Sequence, residues 1–182
     1  MKTIIKTSFL TLSVLLISFL DFKDRYFFDS KIFDREIQNT FFNFESEEDV
    51  QKMIEKSFNN PKYKFPRKEV SYCKIYKNQF LISRITSKTL NQKDTKKLVN
   101  LLNSSENFDY YETTWDVNES EYLFRFFDKK NNEIGVLWLC WKDCGMTSSK
   151  PFSPNMKYGG LSQKGKINFA DILKNYIEIH SE

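Results

Sequence analysis

Cys140 and Cys144, with three residues between them in LWLCWKDCG (137–145), are the residues whose type and spacing most directly offer chemistry in this chain of 182. A close thiol pair can exchange with other disulfides, contribute to a metal site, or close a turn covalently. Thiol–disulfide oxidoreductases use C-x-x-C at a helix amino terminus, where the dipole stabilises the thiolate. Here the spacing is one residue longer, and Cys140 ends a β-patterned run, EIGVLWLCW (133–141). A zinc site normally takes four ligands, and the chain offers Cys73, Cys140, Cys144 and one histidine, His180. No metal and no cofactor is implied.

Geometry narrows the choice. In an extended strand the Cα atoms of residues 140 and 144 stand about 13 Å apart, at roughly 3.3 Å per residue. A disulfide needs about 4.4–6.8 Å. The pair can bond only if the chain turns within Trp141-Lys142-Asp143, and Asp143-Cys144-Gly145 is plausible turn chemistry. A Cys140–Cys144 disulfide with Cys73 free is the leading expectation. A bond from Cys73 to Cys140 or Cys144 stays open, as does redox use with Cys140 as nucleophile and Cys144 as its resolving partner.

Other reaction classes leave no mark. There is no G-x-S-x-G elbow, no glycine-rich phosphate loop after a strand and no H-E-x-x-H. Ser-His or Cys-His catalysis would depend wholly on His180, two residues from the end of the sequence given. Acid pairs such as Asp109 with Glu112, or Asp116 with Glu119, are too common in polar loops to indicate glycosidase chemistry. Catalytic residues are therefore not assigned.

The elements that must position these cysteines follow from hydrophobic periodicity. Ser46 before Glu47, Glu48 and Asp49 is a helix start, a capping hydroxyl ahead of acids that favour the amino-terminal dipole. Val50, Met53, Ile54 and Phe58 continue it at helical spacing, and Asn59-Asn60-Pro61 stops it, so a helix is expected over 47–58. EVSYCKIY (69–76) and FLISRIT (80–86), separated by residues 77–79, read as a hairpin. Asn91 with Asp94 resembles a capping box, and Leu98, Leu101 and Leu102 form one apolar stripe of a second helix over about 92–103.

SEYLFRFFD (120–128) and EIGVLWLCW (133–141) flank a polar loop, 129–132, and form the second hairpin. In its second strand Ile134, Val136, Trp138 and Cys140 point one way while Leu137, Leu139 and Trp141 point the other. A strand apolar on both faces is central in its sheet and covered on both sides, or covered on one and apposed to a partner on the other. Phe169, Ile172, Leu173, Tyr176 and Ile177 mark a last amphipathic helix, capped by Ser162 or Asn168. The expected fold is α+β, an antiparallel sheet built from two hairpins with helices packed on it, in the order α-ββ-α-ββ-α.

The first 20 residues point to a compartment. Lys2 and Lys6 precede FLTLSVLLISFL (9–20), and the charged DFKDR follows. The apolar run is shorter than the roughly 20 residues of a relaxed membrane-spanning helix. Residues 1–20 thus read as a signal peptide or an uncleaved amino-terminal anchor; a buried helix is the bland alternative. Residues 21–45 are an aromatic-rich lead segment expected to dock on the domain, with a membrane-proximal stalk as its competitor, and 46–182 form a single α+β domain. The positive-inside bias places the remainder outside the cytoplasm, periplasmic or extracellular, with the membrane touched only through the amino-terminal segment.

Without residues 1–18, which hold Lys2 and Lys6 and no acid, the formal charge falls from +4 to +2. Phosphate-neutralising proteins show a basic face, and the densest basic cluster, Lys93, Lys96 and Lys97, reads as a solvated helix face. Nucleic acid is not an expected partner. Aromatics make up 16% of the chain, and Trp115, Trp138 and Trp141 would be natural interface anchors if exposed; for Trp138 the core is the favoured place.

The hairpin ending in Cys140 and Cys144, followed by Gly160-Leu161-Ser162 and the terminal amphipathic helix, resembles a loose group of small exported bacterial proteins of unknown function. The likeness covers about residues 90–180. Members of that group carry a further cysteine ahead of the hairpin, whereas this chain has Tyr110, Tyr111 and Trp115 there. The resemblance implies fold and compartment and no activity. Taken together, the expectation is an exported cell-envelope domain that binds a protein partner without catalysis, with thiol–disulfide redox through Cys140 and Cys144 as the alternative.

Overall fold

The computed structural model describes residues 48, 52, 56, 60–78, 87–109, 120–142, 144–156 and 159–177. Seven strands form one antiparallel sheet: β1 (Tyr72–Lys77), β2 (Ser87–Thr89), β3 (Phe108–Asp109), β4 (Tyr122–Phe127), β5 (Glu133–Cys140), β6 (Met146–Lys150) and β7 (Gly160–Leu161). Their spatial order is β2-β1-β4-β5-β6-β7-β3. Two helices, α1 (Gln92–Leu102) and α2 (Gln163–Leu173), complete the described α+β domain.

β5 occupies the middle of the sheet, as its two apolar faces require. Leu137 and Leu139 point to one face, with Phe124 and Phe126 of β4 and Cys73 and Ile75 of β1. Against that face pack Leu98, Leu101 and Leu102 of α1 and Phe169, Ile172 and Leu173 of α2. The opposite face carries a smaller buried cluster of Tyr76, Leu123, Val136 and Trp138. Arg125 shares that face, with its guanidinium 5.7 Å from the Tyr76 ring centroid and 2.5 Å from Glu133. A charge this deeply buried is tolerated because it is paired.

The expected order α-ββ-α-ββ-α does not hold. Five strands, β3 to β7, lie between α1 and α2 where one hairpin was expected. The strands missed are short or polar: β3 and β7 have two residues each, and β6 reads MTSSK. Thr147, Ser148 and Ser149 are nonetheless buried, because β6 sits between β5 and β7. Strand alternation in sequence reports a half-buried surface and is silent for a polar strand enclosed by its neighbours.

The first arms of the two expected hairpins, β1 and β4, pair in one sheet, with Lys74 opposite Arg125. The second hairpin matches its expected bounds closely. Its turn is built by Asp128, whose carboxylate accepts from Lys130 N (2.8 Å) and Asn132 N (2.9 Å), while Asn131 takes a positive φ of 61°. Asparagine tolerates that conformation. The first hairpin's expected second arm, 80–86, lies outside the described residues; β2 is found just beyond it. Of the expected helix 47–58, Glu48, Lys52 and Lys56 are described and helical, with Lys52 Nζ 2.8 Å from Glu48.

Side-chain hydrogen bonds tie the helix ends to each other and to the chain ahead of β1. Asn91 caps α1 by accepting from Asp94 N (2.8 Å), as its spacing anticipates. The Tyr176 hydroxyl then accepts from Asn91 Nδ2 (2.9 Å) and donates to Asp94 (2.9 Å), tying the chain after α2 to the start of α1. Asn103 holds both backbone groups of Phe65, accepting from its N–H (2.8 Å) and donating to its carbonyl. Ser162, not Asn168, caps α2 by accepting from Gly165 N (3.0 Å).

Gly165 sits where no side chain fits. A Cβ there would lie 2.1 Å from the Asn107 carbonyl oxygen, which also accepts from Ser162 N at 3.0 Å. In an open helix, Gly→Ala would stabilise by up to about 1 kcal/mol. Gly165→Ala should reverse that sign, destabilising by about 1–3 kcal/mol as α2 is pushed off the turn before β3. Chemical denaturation of the variant against the parent checks both sign and size.

Candidate functional site

Cys140 and Cys144 sit at one end of the β5–β6 hairpin. Cys140 closes β5 opposite Met146, the first residue of β6, so the chain turns through 141–145. Cys140 and Cys144 are disulfide-bonded with Cα atoms 5.8 Å apart, inside the range the covalent bond demands. Gly145 follows in the left-handed region at φ 60°, where a Cβ would also collide with Lys166 Cε at 2.6 Å.

Glu121, just ahead of β4, holds the same turn. One carboxylate oxygen accepts from both Trp141 N and Lys142 N at 2.7 Å each. A charged acceptor on two successive amides replaces the ladder bonds lost where β5 ends. The half-buried Trp141 lies against the helix-bearing face, its ring centroid 6.2 Å from that of Phe169 in α2. The stretch is thus a junction of sheet, turn and terminal helix.

Each cysteine has a distinct setting. Cys140 is 3% exposed, and Cys144 is partly exposed. The redox roles expected of them, Cys140 as nucleophile and Cys144 as resolving partner, would require the buried Cys140 to be reached. Neither lies at a helix amino terminus; the bond bridges a strand end and a turn. Cys73 is free and fully buried in β1, and burial pushes its thiol well above the ordinary value. The bond from Cys73 to either other cysteine does not form. Trp138 is 1% exposed and fills the core of the opposite sheet face, so of the three tryptophans only Trp141 is both described and partly exposed; Trp115 lies outside the described residues.

A second feature, with no motif in the sequence, is an open groove of about 380 Å³ above the α1–α2 junction. Lys97, Asn100 and Leu101 of α1 form one wall, and Asn168, Asp171 and Ile172 of α2 the other. Ser104, Glu106 and Asn107 close the end. Asn107 is the keystone. Its Nδ2 donates to Leu101 O (3.1 Å), and its Oδ1 accepts from Asn168 Nδ2 (2.9 Å).

The charges of the groove are paired. Lys164 Nζ is 2.6 Å from Glu106, Lys174 Nζ is 2.8 Å from Asp171, and Lys97 Nζ is 3.7 Å from Asp171. The hydrogen bond from Lys164 holds the Glu106 carboxyl below its ordinary 4.5, and that from Lys174 holds Asp171 below its ordinary 3.8. Among the described residues no group of three or more His, Cys, Asp or Glu could hold a metal ion. Asn168 was legible only as a cap candidate and Lys97 only as part of a basic helix face. Glu106 and Asp171 carried no signal at all, because the groove exists only once α2 folds back on α1.

No known protein family, characterised protein or solved structure matches the chain.

Two expectations test these geometries. The Cys140–Cys144 bond closes a short loop, with a sequence separation of 4, so replacing both cysteines by alanine should cost about 2 kcal/mol by loop entropy. Native protein should show no reactive thiol, denatured protein one, and denatured reduced protein three; a thiol-reactive dye counts them. Glu106, with its depressed folded pKa, adds stability above its unfolded value that is lost as pH falls through the folded one. The effect is small at an exposed pair. Lys164→Ala should move the Glu106 carboxyl titration, followed by NMR, back up toward 4.5.

Proposed function

We propose that the chain is an exported cell-envelope protein whose α+β domain is a non-catalytic binding or protein-interaction module. The groove over the α1–α2 junction carries the reading. Its Asn107 and Asn168 amides are locked to each other, and its carboxylates are held ionised by lysines, away from the near-neutral pKa that a general acid or base works from. Such a surface is suited to gripping a ligand. The half-exposed Trp141 lies at the other prominent junction and provides an amphipathic contact of the kind found at interface anchors. The disulfide is compatible with an oxidising compartment, in keeping with the export-like layout of residues 1–20.

A thiol–disulfide reading is the second, favoured by the partial exposure of Cys144 beside the buried Cys140. Thiol exchange would begin at the Cys144 sulfur. A single set of measurements separates the two. The native full chain, recovered from its cells, should be exported, should keep the Cys140–Cys144 bond in a glutathione buffer, and should give a specific adduct from a photo-crosslinking residue placed at Lys97 or at Trp141. A cytoplasmic chain with reduced thiols overturns export. No adduct from either position overturns the module, and a bond that opens and re-forms in the buffer transfers the assignment to redox chemistry.

A further inference from the structure

The composition of the groove identifies the class of ligand that would suit it. Glu106 and Asp171 are each within 2.8 Å of a lysine, and Lys97 leans on Asp171. A charged ligand would have to displace a partner already in place, so it would gain little over the existing pairs. The amides are different. The Asn168 side chain is oriented by its bond to Asn107, which leaves its Oδ1 and its second Nδ2 hydrogen directed by a fixed frame. The exposed Asn100 amide has no hydrogen-bond partner among the described residues.

Planar amides and carboxylates at fixed angles can each take two neighbouring hydroxyls, one as acceptor and one as donor or acceptor. Below them Leu101 and Ile172 form an apolar floor, each 5% exposed. Orienting polar groups around an apolar base, in a volume within the roughly 300–1,000 Å³ of small-molecule sites, match a ligand with a hydroxyl-rich edge and a hydrocarbon face. The open form of the groove also admits a ligand that continues past it.

We propose that this groove binds a neutral saccharide, with Asn100, Asn168 and Asp171 taking its hydroxyls and Leu101 and Ile172 its C–H face; the assignment rests on the binding-module reading above. A free sugar and one unit of a longer glycan offer the same chemistry. Saturation-transfer NMR on the full chain, with glucose, N-acetylglucosamine and their β-1,4-linked tetramers as probes, distinguishes them. Transfer to the monosaccharides assigns the free sugar, and transfer to the tetramers alone assigns the glycan.

The expected result is transfer to at least one probe, with an affinity unchanged between low and high salt because a neutral ligand has no charge to screen. Asn168→Ala should weaken binding by about 10-fold, the equivalent of one well-made hydrogen bond. Asn100→Ala, at an exposed position, should weaken it several-fold and keeps the test readable if Asn168→Ala fails to fold. No transfer to any probe overturns the proposal, as does transfer that survives both substitutions or an affinity that falls steeply with salt. Loss of the saccharide with an adduct retained at Lys97 or Trp141 removes only this proposal; loss of the saccharide and of both adducts also removes the module.

Discussion

The constraint on which the rest of the fold depends is that β5 must be buried on both faces. Leu137 and Leu139 cannot be shielded by the same layer that shields Val136 and Trp138, since successive side chains of a strand point in opposite directions. The strand therefore needs a neighbour on each edge and cover on each face. β4 and β6 meet the first requirement, and α1 with α2 meets the second on one side. A buried Leu or Trp side chain contributes a few kcal/mol, more than any surface ion pair of this domain can.

The stapled turn is a consequence of that arrangement. β5 has to stop and reverse into β6 while remaining in the middle of the sheet. Its end is held by a covalent bond, by Glu121 on two amides and by a left-handed glycine. Three devices on five residues fix the turn against Lys166 and Phe169 of α2. The Cys140–Cys144 bond is one of these devices, and the turn it closes meets α2 in its amino-terminal half.

α2 in turn creates the groove. Ser162 caps it, Gly165 lets it approach the Asn107 carbonyl, and Asn107 bridges it to the end of α1. The polar site is thus supported by a backbone contact that tolerates only glycine and by an asparagine that is 2% exposed. The Asn168 side chain is oriented by this frame, and a ligand bound through it would face a lower ordering cost.

The amino-acid sequence alone determined the elements with strong periodicity. The second hairpin, α1 with its Asn91 cap, the terminal helix with Ser162 as one of two proposed caps, and the turn required between Cys140 and Cys144 were all legible from side-chain alternation, capping chemistry and the reach of a disulfide. These depend on residues close to one another in the chain. Only the tertiary structure decided that β6, despite Thr147, Ser148 and Ser149, lies inside the sheet, that β3 and β7 pair across more than fifty residues, and that Cys73 stays unbonded in the core. It also decided that Glu106, Asn107, Asn168 and Asp171 share a groove. Each of those depends on contacts between segments far apart in the chain, where local pattern has no information, because burial of a polar strand and convergence of surface side chains are properties of the packed layers.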